Sequence, residues 1–583
     1  MREFEPYHVH TSVSNALTQP DSTMFIKDYA EEYRRRGTHH VLCISEHGNR
    51  SNVWEQFDIC EAFKADKENP YELTPLAAAE AYFVPNRLPN SEGQYDGRNF
   101  HLILVAKGMA GFYELNEAIS EANLTGFYKR ARVDLDILSR LNYKNFICTT
   151  ACLAGVLRDD DYEHLCCQLH EIFRENFYLE VQDHPQKAQA EINMRALRMY
   201  NRYHWPLIFG TDSHYIKPED AALRKELLLS AKIDYGDEDA FILDLPTPEE
   251  ACRRFEEQGV LTMPRIEEAM ENTLILREFE GVKFTKEKKI PNAYPDLSID
   301  ERNTLYRKAV CDEYIKKAGM PTKEEEAELR AEMDTITSTG TADYFLIMKQ
   351  IVDKGKEYGG ILTTTGRGSG ASFATNYALG FSSINRLRCP VTMLPERFIS
   401  ADRLKGSLPD LDLNMANVPA FEKAAKEILG EYGCLPMVAY GTVKTLSAFK
   451  LLARARELEF ETSNEISKQI QNYELDVKHA KDNNADDPDY DVDEDVRIES
   501  YVEERYLGLI EESKQYRGII TSISPHPCAR LLLDRDIRRE IGVIQVKSKS
   551  GNKPAVCAAF IDGKTADAYG YLKAKQLVRF MVT

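Results

Sequence analysis

The 583-residue sequence has no apolar stretch of ~18 residues and no charged-then-apolar leader, so it offers neither a membrane span nor a secretion signal. It also lacks any Cys-x-x-Cys pair. Its twelve cysteines fall at irregular spacings, which speaks against a disulfide framework and a zinc ribbon and for a reducing compartment, the cytoplasm of a bacterium or of an infected cell. No internal repeat is evident, which argues against a solenoid or array. Positive charge is in short supply: 74 Lys and Arg against 94 Asp and Glu leave a net charge of −20. That balance bears on solubility and non-specific association. A nucleic-acid partner needs only a local basic track, and Arg367, Arg386, Arg388, Arg397, Arg403, Lys444, Lys450, Arg454 and Arg456 are candidates for one. The length implies several domains, and 43% hydrophobic residues suffice for real cores.

Two motifs carry chemistry in the second half. Gly366-Arg367-Gly368-Ser369-Gly370 follows a short extended run, Gly359 to Thr365, and precedes a predicted helix from Ala371 to Leu379. Backbone N–H groups at such a helix start face an anion, with Arg367 and Ser369 adding a charge and a hydroxyl. Pro409-Asp410-Leu411-Asp412-Leu413-Asn414 places two carboxylates one residue apart in an extended segment, where alternation turns both to one face. Paired carboxylates of this kind bind cations, and the two-metal arrangement for phosphoryl transfer uses them.

The first 215 residues have a different signature, with helical stretches separating apolar runs that end on metal-ligand types. Tyr7-His8-Val9-His10 opens it; Val41 to Ile44 runs into Glu46-His47; Leu76 to Ala79 runs into Glu80; His101 opens the run to Ala106. Phe146-Ile147-Cys148 leads towards Cys152, and Pro206 to Gly210 leads to Asp212 and His214. Such residues at strand ends are how an α/β barrel presents a site at one face, and imidazole, carboxylate and thiolate are transition-metal ligands.

Taken in order, Asp343-Tyr344-Phe345-Leu346-Ile347, GRGSGASFATNYALGF, Leu394-Pro395-Glu396-Arg397-Phe398 and PDLDLN resemble the palm of the C-family bacterial replicative DNA polymerases, the polymerase III alpha subunits. Tyr440-Gly441-Thr442 and Ile523-Ser524-Pro525-His526-Pro527 are similar to further segments of that family. The N-terminal pattern resembles the polymerase and histidinol phosphatase (PHP) domain that precedes such palms. The resemblance implies an α/β multidomain chain: a distorted β/α barrel holding up to three metal ions, then a nucleotidyltransferase-like mixed-sheet palm with a helical thumb. It implies a PHP domain over 1–280, palm over 281–418 and 519–583, and thumb over 419–518 with an acidic insertion at 482–499.

The implied activity is DNA-directed DNA polymerisation in replication, adding deoxynucleotides to a primer 3′-hydroxyl. Asp410 and Asp412 would hold Mg²⁺, and Gly366, Arg367, Gly368, Ser369, Arg397 and Lys444 would bind the nucleotide phosphates. Implied partners are primer-template DNA, deoxynucleoside triphosphates and replisome proteins. In the PHP domain His8, His10, His47, Glu80, His101, Cys152, Asp212 and His214 match the family's ligand set for Zn²⁺ or Mn²⁺. A ninth position does not: Ser14-Asn15-Ala16-Leu17 stands where a ligand is usual, with Asp21 the nearest carboxylate.

Two departures keep other readings open. Lys575 occupies the place of a third palm aspartate, and the sequence ends at Thr583 without fingers, so a truncated or split polymerase completed by a second polypeptide is one expectation. A metal-dependent PHP phosphoesterase or 3′–5′ exonuclease is another. Thr322-Lys323-Glu324-Glu325 predicts a capping box, its glutamates a solvated face. The run from Asp482 to Glu499 lacks the glycine of an EF-hand and reads as an exposed insertion.

Overall fold

The computed structural model describes residues 2–233, 241–363, 368–397, 399–406, 408, 411–483, 496–546 and 555–577, with backbone alone at 363, 368–369, 405–406, 412, 414 and 575–577. Gly366, Arg367, Asp410 and most of the acidic insertion lie outside the described residues. Two compact units result, Met1–Lys283 with Tyr440–Ile523, and Phe284–Ala439 with Ser524–Thr583. No described helix is long and apolar enough to cross a membrane.

The first unit is built on eight strands: β1 (Val41–Ile44), β2 (Thr74–Phe83), β3 (Phe100–Ala106), β4 (Phe127–Tyr128), β5 (Arg130–Val133), β6 (Phe146–Thr149), β7 (Phe177–Val181) and β8 (Leu207–Phe209). Their order is β4-β5-β2-β3-β6-β7-β8, with β1 on the first half of β2. Apart from the edge strands β4 and β5, the strands are largely apolar and buried, as a sheet covered on both faces requires. One core gathers Tyr7, Cys43, Leu76, Ala78, Ile103, Val105, Ile147 and Ile208. The sheet curls until the segment before His10 bridges its ends: Val9 pairs with Ser213 beyond β8, and Ser45 N–H, just past β1, donates to Val9 O at 2.9 Å. Single bridges rather than a full ladder close it, which makes the barrel distorted. Strand β3 runs antiparallel to β2 and β6. His101, at the start of β3, therefore emerges at the same end as ligands that follow the ends of other strands.

The segment from 440 to 523 contributes helices Thr445–Ala455, Phe460–Asn483 and Glu504–Ser513. Ala448, Leu451, Leu452, Tyr516 and Ile519 pack there with Leu227 of helix Ala221–Ser230.

His39 tests the packing of this unit. Its ring sits against Phe4 and Tyr33 at 5.5 and 4.8 Å, and Nδ1–H donates to Phe4 O at 3.0 Å. Burial pushes its pKa down to about 4. The unfolded chain therefore binds a proton that the folded chain refuses, so this stability is present above pH ~6.5 and lost as pH falls through about 4. The loss amounts to about 3 kcal/mol. Both tryptophans, Trp54 and Trp205, lie in this unit, so fluorescence-detected urea unfolding reports it. We expect the midpoint to fall less steeply with acid in His39→Gln than in the parent; equal slopes would reject the assignment.

The second unit holds a seven-stranded mixed sheet in the order β13-β14-β11-β12-β15-β10-β9. Its strands are β9 (Ile361–Thr363), β10 (Asp412–Ala416), β11 (Cys434–Thr442), β12 (Ile520–Leu532), β13 (Val543–Val546), β14 (Val556–Asp562) and β15 (Leu572–Leu577), and the unit boundaries fall within β11 and β12. Helix Ala342–Glu357 supplies the centre of its core through Tyr344, Phe345, Ile347, Met348, Ile351 and Val352. It packs so tightly on helix Val418–Leu429 that a Cβ on Gly355 would lie 2.2 Å from the Phe421 ring. That helix, placed in the thumb by the sequence reading, lies in the second unit by contact.

The capping box at Thr322 forms as read, with Thr322 Oγ1 accepting from Glu325 N–H at 3.2 Å. The glutamates of this helix are not all solvated, because Glu325 and Glu332 are buried. Strand β11 interrupts the stretch read as largely helical. The helix after the glycine loop begins at Ala374 rather than Ala371, because Gly368–Ser372 winds as a 3₁₀ turn first.

Candidate metal centre and candidate palm site

All eight sequence-predicted ligands of the first unit converge. His8, Glu80 and Cys152 form one group; His8, His10 and Asp212 a second; His47, Glu80 and His101 a third; ligand atoms within each lie within 4.8 Å of one another. The fourth group is His10, Asp21 and His47, so Asp21, set aside as merely the nearest carboxylate, takes part. It lies 3.3 Å from His47 Nε2 and 3.0 Å from His214 Nδ1. Asn15 explains how: its Oδ1 accepts from the N–H of Asp21 and of Ser22, folding the loop inward, and Arg224 Nη2 donates to Asp21 Oδ1 at 3.3 Å.

Glu80 is the hub. Its carboxylate approaches His8 Nε2 at 3.3 Å, His10 Nε2 at 3.5 Å, His47 Nδ1 at 2.5 Å, His101 Nδ1 at 2.7 Å and Cys152 Sγ at 3.3 Å. Asp212 Oδ1 lies 3.2 Å from His8 and His10 and 3.3 Å from His214. Asp212 holds a φ of +46°, a conformation few non-glycine residues adopt and one that clusters at functional sites.

Burial pushes the carboxyls of Asp21, Glu80 and Asp212 up, but the surrounding imidazoles outweigh it and hold all three well below the usual range. Burial, then His47 and His214, pushes His10 down to about 4. Buried His8 Nε2, His10 Nε2, Asp21 Oδ2, Glu80 Oε2 and His214 Nδ1 have no hydrogen-bond partner in the structure. Unsatisfied buried donors and acceptors are costly. Their convergence on one point, with mixed imidazole, carboxylate and thiol donors, fits bound transition-metal ions.

Glu180, unremarked in the sequence, orients His8. It is fully buried and lies 2.6 Å from His8 Nδ1, and it accepts from Tyr7 OH, Thr149 Oγ1 and Gln182 Nε2. A carboxylate there fixes the tautomer that leaves Nε2 for a metal. A Cβ on Gly210 would meet Glu180 Oε1 at 2.1 Å. Gly210→Ala and Glu180→Gln are each expected to lower metal affinity by about 10–100-fold, read by competition with a chromogenic chelator. Unchanged affinity in both would leave Glu180 a structural residue only.

In the second unit the strands that flank the two candidate palm motifs pair with each other. Strand β9 runs into the glycine loop and pairs antiparallel with β10, Thr363 opposite Asn414 and Ile361 opposite Ala416. The end of β9 and the start of β10 therefore lie at the same end of the sheet. Leu411, Leu413 and Met415 alternate into the core, and Leu411 N–H donates to Tyr344 OH at 3.2 Å, which gives the Asp-Tyr-Phe motif a structural role. On its other side β10 pairs in parallel with β15, Asp412 beside Lys575.

The phosphate cradle differs from its sequence-based picture. The N–H groups of Ala374 and Thr375 do not await an external anion: Glu332 accepts from them at 3.1 and 3.0 Å. Among the basic candidates, Arg386 pairs with Glu332 and Glu328, Arg388 with Glu325, and Arg456 with Glu226 and Glu512. These three brace the fold. Arg397, in the second unit, and Lys444, beginning helix Thr445–Ala455 in the first, are exposed.

Comparison with known proteins gives two family matches in sequence order, the second of which includes the 440–523 segment of the first unit. Residues 6–184 match the PHP domain family and residues 302–574 the bacterial DNA polymerase III alpha NTPase domain. Similar curated proteins are DNA polymerase III subunits alpha. That of Borreliella burgdorferi is 27% identical over 505 residues, covering 83% of this chain and 42% of the relative. That of Chlamydia trachomatis is 24% identical over 618, covering 94% and 47%, and that of Thermus aquaticus 24% over 599, covering 90% and 47%. The chain thus spans less than half the length of each of these relatives. It carries a PHP domain match followed by a DNA polymerase III alpha NTPase domain match, and over most of its length it is similar to DNA polymerase III alpha subunits.

Proposed function

We propose that the chain serves DNA-directed DNA polymerisation in replication, acting on primer-template DNA and deoxynucleoside triphosphates. What supports this reading is the match of residues 302–574 to the bacterial DNA polymerase III alpha NTPase domain, together with the antiparallel β9–β10 pairing, which sets the end of β9 and the start of β10 at one end of the sheet. Asp410 and Asp412 would hold Mg²⁺, whose chemistry is to activate the primer 3′-hydroxyl and neutralise the leaving pyrophosphate. Gly366, Arg367, Gly368 and Ser369 would grip the triphosphate, with Arg397 adding charge. Replisome proteins are the proposed partners.

The test uses a labelled primer-template under controlled metal conditions. Extension with all four deoxynucleotides that disappears in Asp410→Asn/Asp412→Asn supports the reading. Extension that survives both changes would falsify it.

A second reading, metal-dependent phosphodiester hydrolysis by the first unit, is favoured by the convergence of unbonded ligand atoms on one point. His8, His10, Asp21, His47, Glu80, His101, Cys152, Asp212 and His214 would hold Zn²⁺ or Mn²⁺, which supply a nucleophile at neutral pH and polarise phosphate. His8→Ala/His10→Ala should abolish primer shortening without deoxynucleotides. Shortening that persists there would place the activity elsewhere.

A further inference from the structure

The metal centre is open on one side. The His47 and His101 side chains are 14% exposed, and the Tyr82 ring packs on both, 6.1 Å from the first and 5.2 Å from the second. Arg130 stands over Tyr82, its guanidinium carbon 5.7 Å from the ring centroid. In the β4–β5 hairpin Arg130 is the direct cross-strand partner of Tyr128, so both side chains leave the same face. Lys129 forms the tip, with Nζ 5.6 Å from the Tyr128 ring. Tyr128 in turn stacks on Tyr95, centroids 4.8 Å apart and planes 12° from parallel.

The stack is fixed from below. Arg132, 1% exposed, lies 5.1 Å from one ring and 5.5 Å from the other, and its hydrogen bonds go to the carbonyls of Gly126, Asp96 and Arg87. Yet Tyr95 and Tyr128 remain 40% and 37% exposed, with Phe127 and Leu88 open beside them. Among the described residues neither Lys129 nor Arg130 forms an ion pair, and Asp96 is paired with Arg98 at 2.9 Å. A line of rings and cations thus leads away from the metal centre: Tyr82, Arg130, Tyr128, Tyr95.

We propose that this line is a binding surface for single-stranded nucleic acid, with bases stacking on Tyr128 and Tyr95 and backbone phosphates meeting Lys129 and Arg130. Rings interleaved with cations are the arrangement by which proteins hold single strands without regard to sequence, and a closed duplex does not offer its base faces to such rings. The inference rests on the hydrolytic reading of the centre, whose substrate class it names.

Two measurements on the full chain test it. With chelator present to prevent cleavage, a short oligonucleotide carrying 5-iododeoxyuridine is photocrosslinked and the adduct mapped by mass spectrometry. Adducts on Tyr95 or Tyr128 are expected; adducts confined to other segments, or none because another protein copy covers the surface, overturn the proposal. With metal restored, Tyr95→Ala/Tyr128→Ala should raise the KM for oligonucleotide cleavage about tenfold or more. Hydrolysis of methyl p-nitrophenyl phosphate should be unchanged, and Tyr95→Phe/Tyr128→Phe should retain the parental KM. An unaltered oligonucleotide KM in the alanine pair overturns the proposal while the hydrolytic reading stands. If the parent cleaves neither substrate the hydrolytic reading falls, and the crosslink map alone decides whether strands bind here.

Discussion

Replacing Glu80 by glutamine is expected to remove at least two metal ions' worth of binding from the first unit and to lower phosphodiester hydrolysis by at least about a hundredfold. Glu80 is fully buried and belongs to two of the four ligand groups, with His8 and Cys152 in one and with His47 and His101 in the other. Glutamine keeps the shape and discards the charge. Three imidazoles that Glu80 holds in place, His101, His47 and His8, would then face an amide. Asp21 belongs to one group only, so Asp21→Asn should cost less metal than Glu80→Gln. Metal-to-protein ratios after gel filtration, read by plasma mass spectrometry, check both independently of activity. Equal ratios in the parent and in Glu80→Gln would remove Glu80 from the ligand set.

The difference between Glu80 and Asp21 also shows what the sequence can carry. Glu80 was legible because it ends an apolar run within a strand, and strand direction does the rest: His47 and Glu80 form a bridge, and His101 pairs with Gly155 near Cys152. Asp21 sits in no strand. It reaches the centre through Asn15 and through Arg224, some two hundred residues away in sequence, and such contacts leave no local pattern. Glu180 was hidden differently. Phe-Tyr-Leu-Glu-Val reads as a buried strand whatever its glutamate does, and only the approach of Tyr7, His8 and Thr149 gives that carboxylate a purpose.

The candidate palm motifs were legible as order rather than as contacts. A strand, a glycine loop and a short helix were readable, and β9 and the helix Ala374–Leu379 are there. What the pattern could not announce is that Glu332, from a helix read as solvated, already occupies that helix start. The same gap hid the acidic partners of Arg386 and Arg388. Their guanidinium groups are visible in any composition count, whereas the glutamates that neutralise them come from a different helix.

Primer extension is expected to depend on Asp410 and Asp412 and to be held back by Lys575. The β15 backbone runs between β10 and β12, with Lys575 partnered by Asp412 on one side and Ala529 on the other. The sequence thus sets an ammonium-bearing residue beside a strand whose carboxylates would collect cations. Two unit charges 4 Å apart interact by about 4 kcal/mol at an effective dielectric of 20, roughly three orders of magnitude in rate. Asp410→Asn/Asp412→Asn should therefore lower extension by about a thousandfold. Lys575→Asp should raise it by at least about tenfold, with Lys575→Met between the parent and the aspartate variant, because methionine removes the repulsion without adding a ligand. Single-turnover extension of a labelled primer with enzyme in excess measures all of these on one scale. A Lys575→Asp rate equal to that of the parent, with the double asparagine variant inactive, would show that the lysine is a bystander to a palm working through its two aspartates alone.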